Sequence, residues 1–336
     1  MNKKINNLQA LRAFAALNVV CYHITTISDN YGYGLDYLKF IVGWGYSGVD
    51  IFFVLSGFIM VYMLRNGGVA PIPFIIERLT RVVPFYWLLT IIFFFFEYTF
   101  PSLFENIDHD LLTHTLFSLF FFSQAFLGRM PVLFDGWSLE YEVLFYTCIA
   151  IGLSFSKNAL AFLIVTIIIS FLIIFCSIDA IAFEFLLGVL LGSIYLHIKK
   201  NIKLQLFSLF LGLTLYLLTI KTFRLSNEIF SHKILMYGLP SLMIIYGLLD
   251  IKQIKEGILT KLGDASFSIY LLQVFTIPTF YKILKYIKIA DVVSNDLLAI
   301  ACLLITVVGG YIIYELIEIH LMRWSRNLFL HPKSSN

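Results

Sequence analysis

Long apolar blocks separated by short polar stretches run along this chain from end to end. A helix needs about 20 mostly apolar residues to cross the hydrocarbon core of a bilayer. Eleven segments approach that length: residues 8–27, 47–64, 82–100, 111–127, 137–156, 159–177, 180–198, 204–220, 233–249, 266–287 and 297–319. The fourth differs in kind. It is short, it holds Thr113, His114, Thr115, Ser118, Ser123 and Gln124, and it runs into Gly128–Arg129–Met130–Pro131. The pattern predicts an all-α fold, a polytopic transmembrane helical bundle, and leaves residues 111–127 to be placed by charge.

Lys and Arg collect on the cytoplasmic side of membrane proteins. Lys3 and Lys4 put the N-terminus inside. If residues 111–127 do not cross, the inner side carries 15 Lys and Arg against 8 outside or near the outer boundary, with Arg12 set aside as intramembrane. If they do cross, every later loop flips and the split becomes 12 against 11. The charges therefore predict about ten spans, both termini cytoplasmic, and 111–127 as a re-entrant or interfacial segment. The acidic residues Glu105, Asp108 and Asp110 fall in an outer loop on this reading. No repeat, low-complexity tract or linker stands out, so the expectation is one integral-membrane domain over 1–336 with a short cytoplasmic tail, 320–336.

Composition agrees: 60% of residues are hydrophobic, 13% are charged and the mean hydropathy is +0.87, which leaves no surface for a soluble domain. The 34 Phe and 19 Tyr suit lipid-facing and interfacial positions. A net charge of +3 spread over loops gives no reason to expect nucleic acid as a partner. Cys21, Cys148, Cys176 and Cys302 lie in apolar stretches without a C-x-x-C, so they read as small apolar residues and no metal is expected. The N-terminal apolar run is interrupted by Arg12 and His23 and has no small-residue cleavage site. It reads as a retained first span, not a signal peptide.

That first span, "LQALRAFAALNVVCYH", places Arg12 and His23 eleven residues apart. Eleven steps of a helix make three turns and about 20°, so both share a face, about 16 Å apart along the axis. Ala15, Ala16 and Asn18 between them would let a neighbour approach closely. Arg12 lies on the cytoplasmic side and His23 in the outer third. Other polar residues sort by depth in the same way. Arg78 and Arg81, in "FIIERLTRVVPFYW", sit at the inner boundary, where two guanidiniums can clamp phosphates. Asp50, Glu142 and Glu184 each fall at an outer depth similar to that of His23. Intramembrane carboxylates are functional candidates by default. Each residue also has a plainer reading: snorkelling for Arg12, a satisfied backbone contact for His23, inner-face anchoring for Arg78 and Arg81, and interhelical pairing for the acids. Cations inside and a histidine with carboxylates outside suit an enzyme that takes a phosphate-bearing donor from the cytoplasm and reacts it near the outer face.

The blocks that carry these residues resemble those of the acyltransferase family 3 membrane proteins. "LQALRAFAALNVVCYH" is similar to the family's opening Arg, ten residues and His, and "GVDIFFVLSGF" to the next block. "FIIERLTRVVPFYW" is similar to its R-x-x-R block, "GWSLEYEVLFY" to its W-[ST]-L-x-x-E block and "LGDASFSIYLLQ" to its late serine-rich block. The order is kept, from about residue 8 to 318, and the short form is most similar to exopolysaccharide and capsule O-acetyltransferases. Two positions depart: Gln273 stands where members often have His, and Glu318 is followed by Ile319 and His320 instead of reaching a Pro.

The resemblance implies O-acylation, usually acetylation, of a bacterial surface glycan (exopolysaccharide, capsule or O-antigen) from cytoplasmic acetyl-CoA, in the bacterial inner membrane. It implies a glycan or lipid-linked oligosaccharide acceptor, with membrane lipids and polysaccharide-assembly proteins as neighbours. It makes Arg12 and His23 paired functional residues, with Arg78 and Arg81 on the cytoplasmic, donor side and Glu142 the acid of the W-S-L block. A sugar hydroxyl needs a base, and histidine suits neutral pH. His23 is the expected base, with Asp50 or Glu142 orienting it. Trp137, Ser138 and Tyr46 are candidate oxyanion donors, and Glu184 and Gln273 candidate substrate contacts. Direct transfer and an acyl-histidine intermediate both fit. The main alternative, a transporter or flippase of a glycan-lipid or anionic solute, would place Arg12 and His23 along a substrate path. It predicts internal pseudo-symmetry, and the sequence displays none.

Overall fold

The computed structural model describes residues 5–39, 45–67, 69–103, 110–156, 159–176, 178–222, 234–287 and 293–330. The described residues form α-helices joined by short 3-10 and π turns, with no strand among them. In chain order the helices are α1 (Asn6–Asn30), α2 (Gly48–Leu64), α3 (Pro71–Thr99), α4 (Leu111–Leu119), α5 (Trp137–Phe155), α6 (Ala159–Phe175), α7 (Phe183–Tyr195), α8 (Ile202–Thr222), α9 (Leu239–Leu248), α10 (Ile258–Asp264), α11 (Ser266–Ile287), α12 (Asn295–Ile313) and α13 (Ile319–Leu330). Among the described residues, six helical runs are long and apolar enough to cross a membrane: Asn6–Asn30, Pro71–Thr99, Phe134–Phe155, Ile202–Thr219, Ser266–Ile287 and Asn295–Leu330. Gly48–Leu64, Ala159–Phe175, Ala180–Tyr195 and Ile234–Leu248 are apolar but shorter.

Two runs are longer than their apolar stretches foretell. Helix α3 starts at Pro71, eleven residues before the apolar block at 82, because a proline in the first turn loses no helical hydrogen bond. Helices α12 and α13 are joined by a π turn at Tyr314–Glu318 into one helical run of 36 residues. That run rises about 54 Å, well beyond a hydrocarbon core of about 30 Å. The polar start of α3 and α13 pack on one another: Ser325 Oγ donates to the Thr80 carbonyl at 3.1 Å, and Arg326 pairs with Glu77 at 3.6 Å.

Helix α1 is central, in contact with α2, α10, α11 and α12. Its small residues are used within the bundle itself. A Cβ at Gly48 would meet the Ala15 carbonyl oxygen at 2.3 Å, and one at Gly45 would meet that of Asn18 at 1.8 Å. Helices α2 and α7 cross in the same manner, through Gly57 and Gly188. A Cβ at Gly57 would lie 2.1 Å from the Phe185 oxygen, and one at Gly188 2.0 Å from that of Val54. Small residues let helix backbones touch where hydrophobicity cannot drive helices together. Gly57→Leu must therefore force α2 and α7 apart. The expected cost is about 2 kcal/mol or more, read as a lower apparent Tm in detergent; an unchanged Tm would show that the crossing does not hold these helices.

Residues 111–127 do not form one helix. Helix α4 has nine residues, a rise of about 13 Å, under half the hydrocarbon core. The chain then turns at Phe121 (φ 63°), makes a π turn over Ser123–Leu127 and turns again at Gly128 (φ 63°). Glu140 of α5 accepts from the amides of Ser123 and Gln124 at 2.9 and 3.1 Å, and Trp87 of α3 donates to the Leu119 carbonyl at 2.7 Å. The segment is thereby tied to α3 and α5.

Candidate functional site

A cavity of about 90 Å³ opens between α1, α2, α3, α5 and α11. Arg12 and Arg81 line it together with Glu142, the one carboxylate among the described residues of its wall. Apolar residues of α2 (Phe52, Phe53, Ile59 and Met60 among them) form much of the rest, and Ser138 and Tyr270 are also in the lining. The late serine-rich block supports this end of the protein. Arg12 Nη2 donates to Ser266 Oγ at 3.1 Å. Ser268 donates to Glu318, a buried carboxylate within electrostatic range of both Arg81 and Arg12. Charges taken out of water need such partners.

Arg78 and Arg81 separate. Arg81 faces the cavity. Arg78 is buried to its side, with Nη2 at 3.4 Å from the Met63 sulfur and its guanidinium 5.7 Å from the centre of the Phe74 ring. It remains within electrostatic range of Arg81, Tyr146 and Glu142.

His23 is not in this cavity's wall. Its Nδ1 lies 3.7 Å from Asp135 Oδ1, its side chain is 17% exposed, and its ring stands at 88° to that of Phe134, 5.0 Å between centroids. Asp135 is fully buried. Gln273 Nε2 donates to Asp135 Oδ2 at 2.7 Å. Gln273 also lies beside the imidazole, close enough to interact though without an aligned hydrogen bond. The link to the cavity runs through the Asp135 carbonyl, which accepts from Tyr270 at 3.0 Å and Ser138 at 3.1 Å, those two hydroxyls being 2.9 Å apart. Two centres result: guanidiniums and a carboxylate in the cavity, and an imidazole with a buried carboxylate beyond its Ser138–Tyr270 end.

The carboxylate at His23 is thus Asp135, where the sequence suggested Asp50 or Glu142. Glu142 is on the cavity wall, taking hydrogen bonds from Tyr146 and, at 3.5 Å, from Ser56. The reason is depth. Helix α5 starts at Trp137, so Glu142 lies about 7.5 Å further along it, whereas Asp135 sits in the turn Phe134–Gly136 that precedes the helix. Asp50 and Glu184 are fully buried elsewhere. Asp50 is within electrostatic range of Tyr216 and Tyr237, and Glu184 Oε1 packs against Gly238, 3.1 Å from where a Cβ would stand. Tyr216 and Tyr237 belong to a core distinct from the one that holds Ser138's neighbours Leu139 and Tyr270. Trp137 packs edge-on against Phe53 and Tyr141, and the side chain of Tyr46 lies outside the described residues. Asp135 was missed because it precedes the apolar block; its signal was an acid two residues before the W-S-L motif. Ser266, Ser268 and Glu318 were visible only as motif letters.

An acyltransferase-domain family model, that of acyltransferase family 3, matches residues 5–315. The chain is 31% identical over 259 residues to the exopolysaccharide production protein ExoZ of Rhizobium meliloti, which spans 71% of this chain and 78% of that protein. It is 27% identical over 161 residues to the peptidoglycan O-acetyltransferase OatA of Listeria monocytogenes, 43% of this chain and 23% of that longer protein. No solved structure matches significantly.

Proposed function

Because the chain belongs to acyltransferase family 3, we propose that it moves an acetyl group from cytoplasmic acetyl-CoA to a hydroxyl of a bacterial surface glycan, within the inner membrane. The observation that carries this reading is the cavity that joins Arg12 and Arg81 to Ser138 and Tyr270, and through their hydrogen bonds to Asp135 and His23. Arg12 and Arg81 take the donor's phosphates. The apolar wall of α2 takes its thioester arm. Arg78 sets the field at the arginines without touching the donor.

At the outer end His23 removes the proton from the acceptor hydroxyl as that oxygen attacks the thioester carbonyl. The oxyanion that forms lies at the Ser138–Tyr270 end, where one of the two hydroxyls turns to it while the other keeps the Asp135 carbonyl. Collapse breaks the carbon–sulfur bond, and the imidazolium returns its proton to the departing CoA thiolate. The ester remains on the glycan. A related enzyme that catalyses O-acetylation and one that serves exopolysaccharide production, by their names, support an exopolysaccharide or a lipid-linked precursor of one as acceptor.

The test is direct. Purified protein supplied with labelled acetyl-CoA and polysaccharide extracted from the producing cells should yield base-labile O-acetyl groups, detected by mass spectrometry. Absence of any acyl transfer, with glycan acetylation unchanged in cells lacking the protein, would overturn the reading.

Transfer between the two faces needs the topology to hold. The ten-span arrangement, with both termini cytoplasmic and 111–127 re-entrant, is supported by the match of each of the ten apolar blocks to a helical run and by the shortness of α4. In intact cells a membrane-impermeant thiol reagent should label Arg129→Cys but not Asn201→Cys or Glu256→Cys. External labelling at position 201 would mean that residues 111–127 cross.

A further inference from the structure

We infer that Asp135 and Gln273 form a positioning pair that holds the His23 imidazole in one tautomer and one orientation; the inference rests on His23 being the base. The Asp135 carboxylate has two neighbours and no access to water. Its Oδ2 receives the Gln273 amide at 2.7 Å, and its Oδ1 lies 3.7 Å from His23 Nδ1. The residue cannot swing away, because its carbonyl is held by Tyr270 and Ser138 in the turn that starts α5.

Gln273 gives one N–H of its Nε2 to Asp135, and its Oε1, buried and without a hydrogen-bond partner, is the acceptor it offers the imidazole beside it. Both groups therefore offer acceptors to the ring. An imidazole keeps its proton on the nitrogen that faces an acceptor, here Nδ1 towards Asp135 Oδ1, and leaves the Nε2 lone pair free for a hydroxyl proton. The Phe134 ring, nearly perpendicular to the imidazole, closes the seat. Gln273 thus acts through Asp135, and Asp135 acts through His23.

The pair can be tested by exchange, with the full chain in detergent, labelled acetyl-CoA and extracted polysaccharide. Asp135→Asn turns an amide N–H towards a donor on one side or the other. Its kcat should fall by about 10² or more, with the dissociation constant for acetyl-CoA unchanged. Gln273→Glu sets two carboxylates face to face and should lose as much. The double exchange, Asp135→Asn with Gln273→Glu, restores one carboxylate and one amide donor beside the ring. It should recover at least tenfold over either single variant, and it carries the comparison if a single variant does not fold. Wild-type kcat in Asp135→Asn, a parallel loss of donor affinity, or an exchange variant no better than the singles would each overturn the pairing. His23→Ala is measured alongside. An active His23→Ala protein removes the base itself, whereas an inactive one beside an unimpaired Asp135→Asn removes only the pair.

Discussion

His23→Ala is expected to lower acetyl transfer to glycan by about 10²–10⁴-fold, the usual worth of a general base, while acetyl-CoA binding stays at the wild-type level. The two halves of that expectation come from different parts of the structure. The loss follows from chemistry: a sugar hydroxyl is a weak nucleophile, and no other side chain beside Asp135 can take its proton near neutral pH, since Gln273 hydrogen-bonds but does not titrate. The retained binding follows from geometry. His23 is outside the wall of the cavity that Arg12 and Arg81 line, and it lies about 16 Å along α1 from Arg12. The side chain is partly exposed and makes no aligned hydrogen bond to its polar neighbours Asp135 and Gln273, so truncation should cost little in folding. The checks are turnover with extracted polysaccharide, a calorimetric acetyl-CoA titration and the apparent Tm. Wild-type turnover would return the search for a base to Glu142, Asp50 and Glu184.

Arg81→Ala should do the reverse. Removal of one charge-assisted phosphate contact costs about 1.5–3 kcal/mol, which is roughly 10- to 150-fold in affinity. Arg12→Ala should weaken the donor comparably. It should also lower the Tm, because its guanidinium holds Ser266 and shares Asp264 and Glu142 as charge neighbours. Arg78→Ala should act differently from both. Its contacts are Met63, Phe74 and the field of Arg81, so stability should fall further than donor affinity. Equal donor affinity in wild type, Arg81→Ala and Arg12→Ala would return these arginines to anchoring at the inner face.

Hydrophobic length was the part of this fold most open to reading. A helix in lipid must satisfy its backbone internally, so an apolar block of about 20 residues has one solution. The ten blocks assigned to spans each fall on a helical run, and six of those runs are, among the described residues, long and apolar enough to cross a membrane. The family was legible for a related reason: five motif blocks in order carry the residues that meet around the cavity, and the family model spans residues 5–315. Hydropathy fixes neither depth to within a turn nor the direction a side chain faces. Glu142 and Asp135 differ by seven residues, enough to put one on the cavity wall and the other at the imidazole. Arg78 and Arg81 are three residues apart and so about 60° around the helix, which sends Arg81 into the cavity and Arg78 against Met63. Asp50 and Glu184 share the burial expected of functional acids, yet they belong with Tyr216, Tyr237 and Gly238. Asp135 had no apolar block around it to mark it as unusual.

The central claim is that the acetyl group enters from the cytoplasmic face and leaves on the outer one. Sealed vesicles of known orientation, containing the protein and given labelled acetyl-CoA on one face with polysaccharide on the other, measure this most directly. The account predicts O-acetylated polysaccharide only when acetyl-CoA is on the cytoplasmic face and polysaccharide on the outer face, and none with His23→Ala. Acetylation that requires donor and acceptor on the same face, or polysaccharide that crosses without being acetylated, would contradict it.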